Sequence, residues 1–432
     1  MTKNFKYRDV LKNREYRKFL LSSIINRFGD SIDAIAFTWL VYSITSSSSW
    51  SALIFGLNVL PNIIVQPFAG PIVEKMNKKK VIVITDFLRA FIISAFAFMY
   101  VKGIISPYIM AGFTLLITTI ESFTLPASGA FTLSVLKKEE LTCGMSLSSS
   151  LSSAFKLIGT GCAGVIIAKL GVQAAMFIDA TTFVISGILI YYTKTINETP
   201  FNNENESGNE NKESYLKMLK DGLSYVIHNR AVFNICLVSI FMNFFLVPLN
   251  SLQAPIADDI YGLGSELLSV IGMACSIGGI VGSIIMPKIT DKLSTKKVIV
   301  YFGMMVGLFM YLLPLGKIFK GNAVVGYAFA GSCFFMMVAA ASIVSGFVEI
   351  HFVKNCDEKY LSRSGAVLNA TSMAAAPIGA FLVSLISVNI SAEYLIAVCG
   401  IMIVVLLILV LISTFDFEIS KRKEMNNAAQ TI

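Results

Sequence analysis

Three charged residues interrupt the first long apolar run of the chain, near residues 18–44. A helix with i, i+4 and i+7 spacing places Asn26, Asp30 and Asp33 on one narrow face, with Arg27 at its edge. Each charge would cost about 2.5–3.5 kcal/mol by insertion scales if it faced lipid. We therefore expect this face to border water or protein.

Carboxyl groups within apolar runs suggest proton chemistry. An acid that alternates between dry and aqueous surroundings can lose and regain a proton, which is what coupling to a proton gradient requires. We expect Asp33 to carry this proton, because it lies one turn further from Arg27, and we expect Asp30 to pair with that arginine. The alternative is an ion-pair network in which Arg27 or Lys156 neutralises an acid permanently. Four acids lie at suitable depth: Asp30, Asp33, Glu121 and Asp179.

Amide side chains recur in the second half of the chain. Asn243 and Asn250 follow Asn26 and Asp33 by 217 residues, and Gln253 shares their side of a later apolar run. Amides can hydrogen-bond a substrate without the cost of a charge, although many only join neighbouring helices. The predicted substrate-cavity residues are Asn26, Arg27, Lys156, Asn243, Asn250 and Gln253.

Composition restricts the class of protein. Of 432 residues, 55% are hydrophobic and 14% are charged, whereas soluble proteins carry about 25% charged residues. This balance favours a polytopic membrane protein, so we expect lipids and not nucleic acid beside the basic residues. The sequence contains no G-x-x-x-x-G-K-[ST] loop, dinucleotide fingerprint or zinc-ligand spacing. We therefore expect no enzymatic activity, no cofactor and no metal.

Apolar stretches of about 20 residues predict twelve membrane spans. Lys and Arg number 28 in the segments on the side of the N-terminus and four on the other side, so both termini are predicted to be cytoplasmic. The predicted domains are a six-helix bundle (1–193), a linker with an amphipathic surface helix (194–230), and a second bundle with a tail (231–432). The spans lie near 18–44, 50–73, 81–101, 105–133, 143–168, 172–193, 231–257, 265–287, 298–316, 321–348, 363–388 and 394–415.

The two halves resemble each other in sequence. "EKMNKKKVIV" at 74–83 and "DKLSTKKVIV" at 291–300 share six of ten residues, again at an offset of 217. One offset in two separate regions indicates a duplicated unit. The sequence therefore predicts an all-α fold of two pseudo-symmetric six-helix bundles, with a site at their interface near mid-membrane.

The stretch "GPIVEKMNKKK" resembles the loop between spans two and three of the major facilitator superfamily. Glu74 stands where that family usually has Asp, and Pro287 replaces the glycine of the second copy. The resemblance implies the major facilitator fold and a gating role for this loop. Asp86 and Arg89, one turn into span three, are expected to form a latch beside it. The predicted gate residues are Gly70, Glu74, Lys75, Lys79, Asp86, Arg89, Asp291 and Lys292.

A narrower resemblance runs along most of the chain. "FGDSIDAIAFTWLVYSITSSSSWSALI", "LPNIIVQPFAG" and "TDFLRA" are similar to the macrolide-efflux branch of the drug–proton antiporters, which includes enterobactin exporters. In that family spans one and four line the cavity, so Asp30, Asp33 and Glu121 are favoured over Asp179 as proton-coupling residues. Thr160 stands at the proline of the family's usual Gly-Pro step in span five.

The branch resemblance implies a proton-coupled multidrug exporter of small amphipathic compounds, working by alternating access in the bacterial plasma membrane. Antibiotic resistance would be one consequence. Two alternatives stay open: export of a siderophore-like or lipid metabolite, and a transporter-like sensor or scramblase without proton coupling. We expect a monomer.

Overall fold

The computed structural model describes residues 7–195, 223–290, 294–356 and 358–413, and every regular element in these ranges is helical. Twelve long helices follow a short helical turn at Tyr7–Val10. They are α1 (Arg14–Thr45), α2 (Ser48–Ile64 continued by Gln66–Glu74), α3 (Lys78–Val101), α4 (Pro107–Val135), α5 (Leu141–Leu170), α6 (Val172–Tyr191), α7 (Arg230–Ser251), α8 (Gly264–Thr290), α9 (Thr295–Leu312), α10 (Ala323–Asn355), α11 (Glu358–Ile386) and α12 (Ala392–Ile412).

Helix lengths and compositions fit a multi-pass membrane protein. Ten helices of the described part are long and apolar enough to cross a membrane, and α2, bent by 43°, makes eleven. Helix α1 has 32 residues but is not among them, because Asp30 and Asp33 lower the hydropathy of its apolar part. With α1 the count equals the predicted twelve. The predicted all-α fold of a polytopic membrane protein is confirmed.

Short polar side chains begin several helices. Asn13 Oδ1 accepts hydrogen bonds from the backbone N–H groups of Glu15 and Tyr16 at the start of α1, and Asn77 accepts from Lys80 N–H at the start of α3. Each cap satisfies backbone donors that the first helical turn leaves free. The polar turns between apolar runs therefore determine where the spans begin.

Contacts divide the chain into two compact units, and the first comprises Met1–Asn205 together with Gln253–Met273. In its described part, α1 packs against α5 and α6, while α3 packs against α4 and α6. Close approach of α1 and α5 depends on Gly159, where a Cβ would lie 2.7 Å from the Phe28 carbonyl oxygen. A larger residue there would force these helices apart.

The second unit comprises Glu206–Leu252 and Ala274–Ile432. Its described helices repeat the pairing of the first unit: α7 packs against α11 and α12, and α9 against α10 and α12. Glycine again permits a close approach, since a Cβ on Gly307 would lie 2.7 Å from the Gly400 carbonyl oxygen. This recurrence agrees with the duplication predicted from the offset of 217 residues. Most of the predicted linker, including 197–214, lies outside the described residues.

Candidate functional site

A partly buried ion pair joins α1 and α3 inside the first unit. Arg89 Nη2 lies 3.1 Å from Asp30 Oδ1, and the two side chains are 10% and 31% exposed. The guanidinium carbon also lies 4.0 Å from the centre of the Phe183 ring on α6. Breaking such a pair leaves an uncompensated charge in an apolar surrounding, so Arg89 and Asp30 hold each other in place.

More acids surround Arg89 than one guanidinium can pair with. Arg89 interacts electrostatically with Asp30, Glu121, Asp179 and Asp86, and Asp33 lies within electrostatic range of Asp30 and Arg89. We name these five acids and Arg89 the acid cluster. A carboxylate without a counter-ion is costly in a dry site and is neutralised by taking up a proton. The acid cluster therefore holds more negative charge than Arg89 can neutralise.

A polar network extends the acid cluster along α1, α3 and α6. Ser186 Oγ donates to Asp86 Oδ2 at 2.6 Å and accepts from Asn26 Nδ2 at 2.9 Å. The hydroxyl groups of Ser186 and Ser22 lie 2.7 Å apart. Asp86 and Ser186 are fully buried. This network places Asn26, a predicted cavity residue, in a packed contact between helices.

Gly29, beside Asp30, allows α1 and α6 to come together. A Cβ at this position would overlap the Thr182 hydroxyl and would lie 2.5 Å from Asp179 Oδ1. Thr182 Oγ1 in turn donates to the Asp179 carbonyl oxygen at 2.7 Å. The close approach of these helices brings the acids of α1 near Asp179, which is 1% exposed.

The predicted pairing of Asp30 with Arg27 is wrong, because Asp30 bonds to Arg89. The Arg27 side chain is exposed, as is that of Lys156. Neither forms a salt bridge with an acid among the described residues, whose ion pairs lie elsewhere. Helical geometry lets the Asp30 side chain reach either Arg27 on its own helix or a residue of a neighbouring helix. In the folded unit, the side chain of Arg89 on α3 lies at Asp30.

The predicted gate residues fall into two groups. Asp86 and Arg89 turn towards α1 and α6, whereas Gly70, Glu74, Lys75 and Lys79 belong to the end of α2 and the start of α3. Lys79 Nζ lies 5.7 Å from the centre of the Tyr191 ring on α6, a cation–π contact. Asp291 and Lys292 lie outside the described residues.

The remaining predicted cavity residues are amides. Asn243 and Asn250 are exposed residues of α7, and each side-chain NH₂ donates to a carbonyl oxygen one turn earlier, at 2.8 Å and 3.2 Å. Their amide oxygens remain on the exposed face of the helix. Gln253 is half-buried and belongs to the first unit.

Sequence reasoning missed Ser22, Ser186 and the position of Asp179 in the acid cluster. A signal for them exists, since Ser22 precedes Asn26 by one turn and extends the same face of α1. On α6, Asp179, Thr182 and Ser186 also share one face by their spacing of three and four residues. The polar face of α1 and the polar face of α6 could therefore have been predicted to pack against each other.

Comparisons with known proteins agree with this architecture. A model of the Major Facilitator Superfamily matches residues 19–351. The uncharacterized MFS-type transporter YkuC of Bacillus subtilis (strain 168) is 22% identical over 294 residues, which cover 65% of this chain and 67% of YkuC. The multidrug efflux pump Tap of Mycolicibacterium fortuitum is 22% identical over 326 residues, 72% of this chain and 76% of Tap.

Solved structures are similar in fold at low identity. The nucleoside transporter NupG has a TM-score of 0.70 and 11% identity, covering 92% of this chain and 98% of NupG. A bacterial homologue of the iron transporter ferroportin, in an inward-facing state, has a TM-score of 0.68 and 13% identity, covering 93% of this chain and 99% of that one. With a family model over most of its length and the helical architecture of these transporters, the chain belongs to the major facilitator superfamily of membrane transporters.

Proposed function

We propose that this transporter is a proton-coupled exporter of small amphipathic compounds, located in the bacterial plasma membrane with both termini cytoplasmic. The observation that carries the proposal is the excess of carboxyl groups over cations around Arg89. Ionisable side chains cost free energy within a membrane, and those that occur there commonly mark functional sites. The distant similarity to the multidrug efflux pump Tap supports export of drug-like compounds.

Asp33 is the proposed carrier of the coupling proton. It lies near the Arg89–Asp30 pair. Its carboxyl group makes no hydrogen bond or salt bridge with another described residue, so no such contact stabilises its ionised form. Asp30, by contrast, is held by Arg89 at 3.1 Å. Glu121, half-buried on α4, is the second candidate for the same role.

Alternating access links the proton to the substrate. Protonation of Asp33 removes one negative charge beside Arg89, which changes the relative free energies of the two access states. The exposed amides of Asn243 and Asn250 would hydrogen-bond the polar part of a substrate. The gate residues Gly70, Glu74, Lys75 and Lys79, with Asp291 and Lys292 of the second copy, would control the cytoplasmic opening.

The test compares wild type with Asp33→Asn in proteoliposomes. Uptake of fluorescent amphipathic compounds and a macrolide is measured with and without an imposed pH gradient, and counterflow exchange is measured without one. We expect Asp33→Asn to abolish gradient-driven accumulation and to retain counterflow, because the substrate contacts remain. Glu393→Gln is the matched control, since it removes an acid whose partner, Lys317, is exposed.

Two outcomes would contradict the proposal. Accumulation against a gradient at the wild-type rate by Asp33→Asn would exclude Asp33, and the same assay on Glu121→Gln would then test the second candidate. Movement of lipid that ignores the pH gradient, with no movement of the test compounds, would favour a scramblase.

A further inference from the structure

An apolar groove lies between α7 and α12 of the second unit. Its volume is about 350 Å³, within the range of about 300–1,000 Å³ that small-molecule sites occupy. Its walls include Leu237, Phe241 and Phe245 of α7 and Met402, Leu406 and Leu409 of α12. Every lining residue is apolar except Ser413, which directly follows α12. The groove therefore suits an apolar ligand.

The corresponding helices of the first unit are joined by a side-chain hydrogen bond. Asn26 of α1 donates to Ser186 of α6, and their counterparts 217 residues later are Asn243 and Ile403. The side chain of Ile403 cannot accept a hydrogen bond, and Asn243 donates to a carbonyl oxygen of its own helix. Helices α7 and α12 therefore lack the polar contact that joins α1 to α6.

The groove opens at the surface of the second unit and away from the proposed substrate contacts. Phe241 is 39% exposed, whereas Ile24, its counterpart in the first unit, is 6% exposed. Phe241 and Asn243, two residues apart, lie on nearly opposite faces of α7. An exposed apolar surface of this kind marks a contact with a membrane or with another protein.

Two cations lie at one end of the groove. Lys296 Nζ, on the first turn of α9, donates to the Ser413 carbonyl oxygen at 2.7 Å. Arg230, at the start of α7, precedes Leu237 by seven residues and Phe241 by eleven, so it extends the groove face of that helix. The start of α7 and the end of α12 lie on the same side of a membrane, because the chain crosses it six times from one to the other.

Neither cation is neutralised by an acid within the part of the chain that the structure describes, since the salt bridges found there involve other residues. The Lys296 ammonium has three hydrogens, and the Ser413 carbonyl oxygen accepts one of them. The Arg230 side chain is exposed. This end of the groove can therefore hold an anion such as a phosphate.

The groove is about as deep as one leaflet of a bilayer. On α12 it extends from Met402 to Ser413, which corresponds to about 17 Å of helix at about 1.5 Å per residue. Half of a hydrocarbon core of about 30 Å is about 15 Å. An acyl chain that enters at the cationic end would therefore reach about the middle of the membrane.

We propose that the groove binds an acyl chain of an anionic phospholipid, whose phosphate is held by Lys296 and Arg230. The apolar walls match the chain, and the two cations match the charge of the headgroup. Basic pockets between membrane helices on the cytoplasmic side bind anionic headgroups in the same way. The lipid comes from the leaflet on the side where α7 begins, which is predicted to be cytoplasmic. Its binding does not depend on proton coupling or on export.

Native mass spectrometry of the purified full-length protein tests the site, because each bound lipid adds its own mass. Three lipids are compared. Dioleoyl phosphatidylglycerol is anionic, dioleoyl phosphatidylcholine carries the same chains on a zwitterionic headgroup, and dihexanoyl phosphatidylglycerol carries the anionic headgroup on short chains. We expect one dioleoyl phosphatidylglycerol to bind more tightly than either of the other two.

Charge variants test the headgroup contact. Lys296→Gln and Arg230→Gln should each weaken the binding of dioleoyl phosphatidylglycerol about fivefold, the effect of one cation beside an anionic lipid. Lys297→Gln is the matched control, because it removes the same charge from the next, exposed position of α9, about 100° around the helix. Equal losses in Lys296→Gln and Lys297→Gln would overturn the proposal, since the lipid would then respond only to the charge of the surface.

Groove variants test the contact with the acyl chain. Leu409 is 63% exposed, so Leu409→Trp can fill the groove without disturbing buried packing, and we expect loss of the bound lipid. Ile408→Trp adds the same ring at a position that does not line the groove and should retain the lipid. Undiminished binding by Leu409→Trp would contradict an acyl chain in the groove.

The same spectra identify other occupants of the groove. A wild-type dimer that dissociates in Leu409→Trp would make the groove an interface between two copies of the chain and would overturn the proposal. Equally tight binding of dioleoyl phosphatidylcholine would also overturn it, because the cations would then contribute nothing. These measurements involve no transport, so failure of the proposed function in proteoliposomes would leave their outcome unchanged.

Discussion

The two units share a packing scheme and differ in the polarity of their interiors. The position 217 residues after Arg89 is Val306, which is 0% exposed, and the position after Asp179 is Ile396, also 0% exposed. Every side chain of the acid cluster on α3, α4 and α6 has an apolar counterpart, and so does Ser186 of the neighbouring polar network. The counterparts of Asp86, Arg89, Glu121, Asp179 and Ser186 are Gly303, Val306, Val338, Ile396 and Ile403.

This difference indicates which residues the helices of a unit need in order to pack and which residues only supply ionisable groups. The second unit forms the same helix pairs without counterparts of Arg89 and of the acids on α3, α4 and α6. A charge cluster such as the one around Arg89 is therefore not needed to bring six such helices together, and in the first unit it reduces the apolar area available for packing. The comparison places Arg89 and its acids in the first unit, so the proposed proton chemistry would belong there, and four predictions test the comparison.

The largest expected effect comes from moving the acid between units. In the double variant Asp33→Asn with Asn250→Asp, the acid stands on α7, where no counterpart of Arg89 exists. We expect no gradient-driven accumulation in the proteoliposome assay, whereas Asn250→Asp alone should keep gradient-driven accumulation at a reduced affinity for substrate, because Asp33 is still present. Recovery of transport by the double variant would show that the two units are interchangeable.

A second prediction compares the central residues of the two interiors. Arg89→Met should lower the free energy of unfolding by about 3–5 kcal/mol, because Asp30 loses its partner. Val306→Ala should cost about 2 kcal/mol, from lost apolar burial and a small cavity. Denaturant unfolding in detergent measures both.

The double variant Arg89→Met with Asp30→Asn is the diagnostic control for the pair. Removing both charges should recover part of the stability that Arg89→Met loses, because no uncompensated carboxylate remains. A double variant as unstable as the sum of the two single variants would mean that the ion pair has no special coupling.

Glycine contacts should matter equally in both units. Gly29→Ala in the first unit would press a Cβ against Thr182, and Gly282→Ala in the second would press one against the Ala339 carbonyl oxygen. Each should lower the free energy of unfolding by about 1–3 kcal/mol. Gly112→Ala is the control, because nothing lies within 4 Å of its Cβ, and it should stabilise its helix slightly. A loss confined to Gly29→Ala would show that the second unit packs by other means.

The smallest expected effect is a pH dependence at the polar start of α1, before its apolar part. Burial tends to raise the pKa of Glu15, but the Lys194 backbone N–H and the Lys18 ammonium outweigh it and hold the pKa below 4.5. The contact is therefore complete above the ordinary pKa of a glutamate and is lost as the pH falls through the lowered pKa.

Hydrogen exchange of the Lys194 amide measures this contact, after correction for the intrinsic pH dependence of exchange. We expect protection near neutral pH to decrease in acid for the wild type. In Glu15→Gln the residual protection should not change over the same range. An identical acid-dependent loss in Glu15→Gln would assign the effect to another group.

The sequence by itself determined the helical spans and the repeat. Apolar runs have the length that a bilayer requires, and one offset relates two separate regions, so neither conclusion needed tertiary contacts. Periodicity also placed Asn26, Asp30 and Asp33 on one face of α1, because residues three and four apart on a helix are neighbours whatever surrounds them.

Only the tertiary structure decided which side chains meet across helices. Asp30 bonds to Arg89, which is 59 residues away, and not to Arg27 in the preceding turn, which remains exposed. Asp86 bonds to Ser186 at a separation of 100 residues. Helical spacing defines the face on which a side chain lies but not the helix that packs against that face. In this unit that choice depends on how closely α1, α3 and α6 approach, and Gly29 is one of the positions where α1 and α6 come into contact.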